Sequence, residues 1–141
     1  KLLDQGYDHV QGSRFIPGGK AVNTPLSREV GLHLIHAPLI SLAAGKRHTD
    51  TTNGFRAYSA KLLKDPDIAV FRDIFQTYEL HYYLAIESSR RKQYKTAETP
   101  VVRTYPKKGK TPTKISPIKG NMHVMNVLLR AVAGKYRKPK K

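Results

Sequence analysis

The residues best suited to chemistry are Asp50 and Arg56, carried in the run Asp50-Thr51-Thr52-Asn53-Gly54-Phe55-Arg56-Ala57-Tyr58. A carboxylate stands four residues ahead of a glycine, and an aromatic, an arginine and a tyrosine follow in strand-like alternation. That is the pattern of a tight turn feeding a strand, which delivers an acid and a base to one small volume. Asp50 is therefore a candidate general base, a metal ligand or a partner that orients Arg56. An Asp before Thr-Thr-Asn-Gly equally suits an Asx-turn or a helix cap, with no chemistry attached.

Two further groups flank this run. Upstream, Gly12-Ser13-Arg14 leads into a loop containing Gly18 and Gly19, followed by Arg28 near a helix start. A guanidinium at the mouth of such a loop can fork onto phosphate oxygens, because adjacent glycines let backbone approach a ligand. A cation at a helix N-terminus opposes the dipole unless an anion bridges the two, so Arg28 also suggests an anion site. Downstream, Arg103 precedes Lys107, Lys108, Lys110 and Lys114, a basic loop shaped by Pro106, Gly109 and Pro112. Closed over a diphosphate, it would stabilise the charge of a departing group. Each group also has a plain reading as solvated surface arginine and lysine. His33 and His36 share a helix face without a third ligand, which argues against a metal site. Gly45-Lys46 lacks the spacing of a P-loop. Helix-turn-helix, zinc-finger and paired-aromatic RNA motifs are absent, so no nucleic-acid module is expected.

The elements that must position these residues follow from periodicity and punctuation. Tyr7 to Phe15 reads as a strand. Ser27 to Ala44 reads as a helix with Ser27 as N-cap, Gly45 as stop and Leu32, Ile35, Leu39 and Leu42 on one face. Pro38 should kink or divide it. Phe55 to Tyr58 is a strand and Ser59 to Lys64 a short helix closed by Asp65-Pro66. Gln76 to Gln93 is a helix with Tyr78, Tyr82, Ala85 and Ile86 inward. Tyr94 to Tyr105 is a strand interrupted by Pro100, which suits an edge or a bulge. Lys119 to Tyr136 is a last helix with Met122, Met125, Leu129 and Val132 along its stripe, closed by Gly134.

A chain of 141 residues is one domain's worth of sequence. Lys and Arg outnumber Asp and Glu by 26 to 10, a formal charge of +16 that draws anions such as nucleic acid, lipid headgroups or phosphorylated small molecules. There is no cysteine, which removes disulfides and thiolate metal sites. No apolar run is long enough to span a bilayer. The chain begins without methionine in what reads as a helix end, and the repeated strand–helix units of a nucleotide-binding half are missing. Both points lead us to expect a fragment of a larger fold.

In their order, these motifs resemble one family. Gly12-Ser13-Arg14-Phe15 with Gly18-Gly19, Arg28, the Asp50–Tyr58 run, Glu98-Thr99-Pro100, Arg103 and Lys114 resemble the C-terminal half of family 2 glycosyltransferases. The likeness is to the dolichyl- or polyprenyl-phosphate hexosyltransferase branch and covers roughly residues 7 to 116. It implies an α/β fold: the acceptor-side part of a Rossmann-like GT-A domain over residues 1–118, its nucleotide-binding half missing, then an amphipathic helix and basic tail over 119–141. It implies transfer of a hexose, with inversion, from a nucleotide-diphosphate sugar to a polyprenyl-phosphate or other lipid-linked acceptor. Arg14 and Arg28 would hold the acceptor phosphate under the Gly18-Gly19 loop, Asp50 would sit at the reaction centre, and Arg103 with Lys114 would reach the donor diphosphate. Mg2+ or Mn2+ would serve the full enzyme from ligands upstream of this chain, so the chain alone should not turn over. Leu32 departs from the pattern, standing where many lipid-phosphate members carry serine.

With a phosphate acceptor no base is needed and Asp50 would steer Arg56 or a metal, whereas a hydroxyl acceptor would make Asp50 the base. The basic tail suggests a peripheral position at the cytoplasmic face of an anionic membrane, each lysine there contributing about 1 kcal/mol. The alternative is a non-catalytic basic module for polyanions such as nucleic acid.

Overall fold

The computed structural model describes residues 1–107, 116 and 118–139. Its order is β1 (His9–Ser13), β2 (Lys20–Val22), α1 (Leu26–Gly31), a π-helical turn (Leu32–His36), α2 (Ala37–Ala44), β3 (Arg56–Tyr58), α3 (Ala60–Lys64), α4 (Glu79–Arg90), β4 (Thr96–Pro100), β5 (Val102–Thr104) and α5 (Lys119–Val132). The chain is mixed α/β, with a small mixed sheet and helices. β1 lies at the centre of a three-stranded sheet, antiparallel to β3 and parallel to β4. β2 and β5 form a separate parallel pair.

The last strand region crosses from one sheet to the other. Pro100 ends β4 opposite Ser13, on an edge where its missing N–H costs no ladder bond. Val101 then donates to the Ser13 carbonyl at 2.9 Å and accepts from Lys20 at 3.0 Å, passing the chain to β2. This hand-over brings Arg103 opposite Ala21 of β2 and Tyr105 beside its end at Val22 and Asn23.

The long helix expected from Ser27 is divided where Pro38 predicts, but by a π turn rather than a simple kink. Pro38 falls in the first turn of α2, where its missing N–H is tolerated. The wide turn inserts one residue and moves the inward face: Leu32 is followed inward by Ala37, Ile40 and Ala44. Leu42, expected inside, is 80% exposed, and Ile35 is also exposed. Pro25, not Ser27, occupies the N-cap position, without a side-chain cap bond. Gly45 closes α2 in the left-handed conformation, at φ +64.

Apolar burial is concentrated among the helices. Ile40 of α2, Leu62 of α3, Ile68, Leu84 and Ile86 of α4, and Leu128 of α5 meet in one cluster, so α5 shares its core with α2 and α4. The inward face of α5 is Val124, Val127, Leu128 and Ala131. The stripe expected there, from Met122 to Val132, is turned away: Met122 and Leu129 are exposed, and Met125 and Val132 only flank the core. The sheet is different in kind. All five β1 residues are buried, yet His9, Gln11 and Ser13 are polar and share a face with Arg56, Tyr58 and Glu98 by register.

The two faces of α5 give opposite expectations for neighbouring leucines. Leu128→Ala, at 0% exposure, should lose about 2–5 kcal/mol in urea unfolding. Leu129→Ala, at 50% exposure, should stay within about 1 kcal/mol. Equal losses would contradict this packing.

Candidate functional site

Asp50 is fully buried and wholly committed to Arg14. Arg14 Nε donates to Oδ2 at 2.7 Å and Nη2 to Oδ1 at 2.9 Å, a bidentate fork. The Arg14 backbone N–H adds a third bond to Oδ2 at 3.2 Å. Thr52 Oγ1 closes the group, accepting from Arg14 Nη2 at 3.1 Å and donating to Oδ1 at 3.4 Å. Burial works against the guanidinium charge, but Asp50, helped by the fields of Tyr105 and Glu29, raises the Arg14 pKa. The side chains of Arg14 and Asp50 are 5% and 0% exposed, so this pair is an internal strut.

The expected pairing of Asp50 with Arg56 does not occur. Arg56 sits opposite Gln11 in the antiparallel register and gives Nε to Gln11 Oε1 at 2.6 Å. Its Nη2 donates to the Thr51 carbonyl at 2.7 Å, and its Nη1 is buried without a partner. Asp50, with both oxygens filled by Arg14, has nothing left to offer it. Arg56 is instead held by its cross-strand neighbour Gln11 and by the Thr51 carbonyl of its own loop.

A second carboxylate organises the same loop. Glu98 Oε1 accepts from the backbone N–H of Thr49 at 2.8 Å and of Asp50 at 3.4 Å. Thr49 Oγ1 donates to Glu98 Oε2 at 2.8 Å and lies 2.5 Å from Ser13 Oγ. Since that threonine proton goes to Glu98, Ser13 is the donor in the remaining contact. β1, the loop at Thr49 to Asn53 and β4 are thus joined through Glu98 and Asp50. Sequence reasoning quoted Glu98 only as a family position and missed Thr49. Their one signal was an acid on the strand that runs beside Gly12-Ser13-Arg14.

Arg28 and Arg103, far apart in sequence, converge on Tyr105. Their guanidinium carbons lie 5.8 and 5.0 Å from the centre of its buried ring. Tyr105 is clamped by its backbone: its N–H donates to the Val22 carbonyl at 2.9 Å, and its carbonyl accepts from Asn23 Nδ2 at 3.1 Å. Among the described residues, neither Arg28 nor Arg103 forms a salt bridge. The structure therefore sets two cations without a salt-bridge partner among the described residues against one tyrosine ring. Lys114, the other expected member, lies outside the described residues.

Gly18 and Gly19 form the turn beside this group. Gly18 has φ +87, and a Cβ on Gly19 would stand 2.6 Å from the Ser13 carbonyl. Both glycines are thus required for the loop to fold back on the Ser13–Arg14 backbone. His33 meets Phe15 edge-on at 4.5 Å, and His36 Nδ1 lies 3.3 Å from the Tyr82 hydroxyl, so the two histidines do different work. No group of three or more His, Asp or Glu able to hold a metal exists among the described residues, and Asp50 has no free oxygen. The residues present do not fit a divalent-ion site.

No family model, curated protein or solved structure matches the chain.

Two expectations test this site. Asp50→Asn and Arg14→Met should each lose about 3–5 kcal/mol of unfolding free energy, and the double variant clearly less than their sum. Additive losses would mean the pair is not coupled. The buried histidines set an acid limit. Burial, reinforced by Arg56, His48 and Lys46, pushes His9 from 6.5 down to about 3, and burial also lowers His36 and His48. Below pH 6.5 the unfolded chain takes protons that the folded chain refuses, so stability should fall from there towards pH 3. Chemical denaturation across that range should show the slope, and His9→Asn should flatten it.

Proposed function

We propose that this chain is the acceptor-side part of a family 2 glycosyltransferase, acting on a lipid-linked phosphate at the cytoplasmic membrane face. The observation that carries the reading is the pair of unpaired guanidiniums, Arg28 and Arg103, on either chain segment that borders the buried Tyr105 ring. Two such forks in a site shaped by a glycine turn suit a phosphate monoester far better than a neutral sugar.

The acceptor question turns on Asp50. A sugar hydroxyl must lose a proton as it attacks, and Asp50, buried with both oxygens on Arg14, is not positioned to take it. A phosphate oxygen is anionic already. In the proposed reaction it attacks the anomeric carbon of the hexose from the side opposite the donor diphosphate. The new C–O bond forms as the bond to the nucleoside diphosphate breaks, which inverts the centre. In this proposal Arg28 and Arg103 hold the attacking phosphate, and the nucleoside diphosphate departs on the opposite face of the sugar. Asp50 and Glu98 keep the loop and Arg14 fixed behind them. Leu32, where many lipid-phosphate members of that family carry a serine, is buried in this chain.

Isothermal titration of this chain with farnesyl phosphate and with farnesol tests the reading. Farnesyl phosphate should bind at least about tenfold more tightly, and Arg28→Ala with Arg103→Ala should remove that preference. Equal affinity for alcohol and phosphate would overturn it. Binding of any polyanion irrespective of these two arginines would favour a non-catalytic basic module instead.

A further inference from the structure

We infer that the outward face of α5 is a docking surface for an anionic lipid bilayer. The membrane placement rests on the lipid-linked acceptor proposed above, whereas the docking face rests on α5 alone.

The helix has two apolar faces and needs only one for folding. Val124, Val127, Leu128 and Ala131 are buried against α2 and α4. Ile118, Met122 and Leu129 form a second line, exposed by 74, 68 and 50%. Successive helical residues turn by about 100°, so these three fall on one stripe, well away from the core face. Lys119 and Arg130 lie roughly 90° to one side of it, on the same exposed half of the helix. Lys135, also exposed, follows just past the helix end.

Charge decides what covers this stripe. All ten Asp and Glu residues of the protein precede residue 99, whereas 12 of its 26 Lys and Arg residues follow Glu98. The sequence from residue 99 onward therefore carries one sign of charge, although Arg137 is ion-paired with Glu87 of α4 at 2.8 Å. A second copy of α5 would bring cation against cation, and an ordinary apolar partner would leave the lysines unused. Nucleic acid would satisfy the cations but not Ile118, Met122 and Leu129. An interface with anionic headgroups above and acyl chains below satisfies both at once. Among the described residues no helix is long and apolar enough to cross a membrane, so α5 lies on the surface rather than through it.

Vesicle co-sedimentation of the full chain tests this. Phosphatidylcholine vesicles containing phosphatidylserine should bind the protein, and pure phosphatidylcholine vesicles should bind it about tenfold or more weakly. Met122→Asp with Leu129→Asp should lower partition to the anionic vesicles by about tenfold or more, with an unchanged urea midpoint because both side chains are exposed. Arg28→Ala with Arg103→Ala should leave partition within about twofold, which separates this face from the phosphate site. Equal binding to both vesicle types would overturn the proposal. So would wild-type partition by the Met122/Leu129 variant, the outcome expected of a polyanion-binding surface.

Discussion

One buried ion pair fixes the geometry on which everything else depends. Arg14 leaves the end of β1, Asp50 arrives on the loop after α2, and their fork welds two chain segments 36 residues apart. A charge pair out of water persists only when its lone pairs and protons are nearly all matched. Here the backbone N–H of Arg14 and the hydroxyl of Thr52 provide that matching. Glu98 completes the arrangement by holding the same loop from β4. The site is thus rigid where it is charged and buried, and open where Arg28 and Arg103 meet Tyr105.

This division of labour explains why chemistry-bearing residues in the sequence separate into two classes. Asp50 has the type of a catalytic base, but its environment makes it a structural anion. Arg28 and Arg103 look like ordinary surface cations, but they share an aromatic support and have no salt-bridge partner among the described residues, which is why the proposal assigns the anion to them. Arg14 stands between the classes: its Nε and Nη2 are held by Asp50 and Thr52, and its charge is matched by the Asp50 carboxylate.

Much of the fold could be read from punctuation. Gly45, Ser59 and the Asp65-Pro66 break mark real boundaries, and Pro100 sits on an edge as its missing donor requires. Faces were harder. The π turn at Leu32 to His36 shifts the phase of α2 by a residue, which no regular helical period can anticipate. On α5 the inward face is built from Val124, Val127, Leu128 and Ala131, while the larger Met122 and Leu129 that define the expected stripe lie on the exposed side. The polar face of β1 escaped detection because His9 and Gln11 are buried by cross-strand and helix partners, including Ser88 on α4 at 2.9 Å from His9. Periodicity records apolar burial and is blind to polar groups buried in pairs. Gly12-Ser13-Arg14, Asp50 and Glu98, quoted together from the sequence, do meet in space, but the pairings among their neighbours depend on register: Gln11 lies opposite Arg56, and Asp50 is left for Arg14.

Arg14 is already bonded to Asp50, and on the proposed function Arg28 and Arg103 wait for an anion. Nitrogen-15 NMR of the arginine Nε–H groups, titrated with farnesyl phosphate, reads both halves in one experiment. The Arg14 signal should be protected from solvent exchange and remain in place, while those of Arg28 and Arg103 shift with ligand. A freely exchanging Arg14 that shifts with the phosphate, alongside silent Arg28 and Arg103, would contradict both.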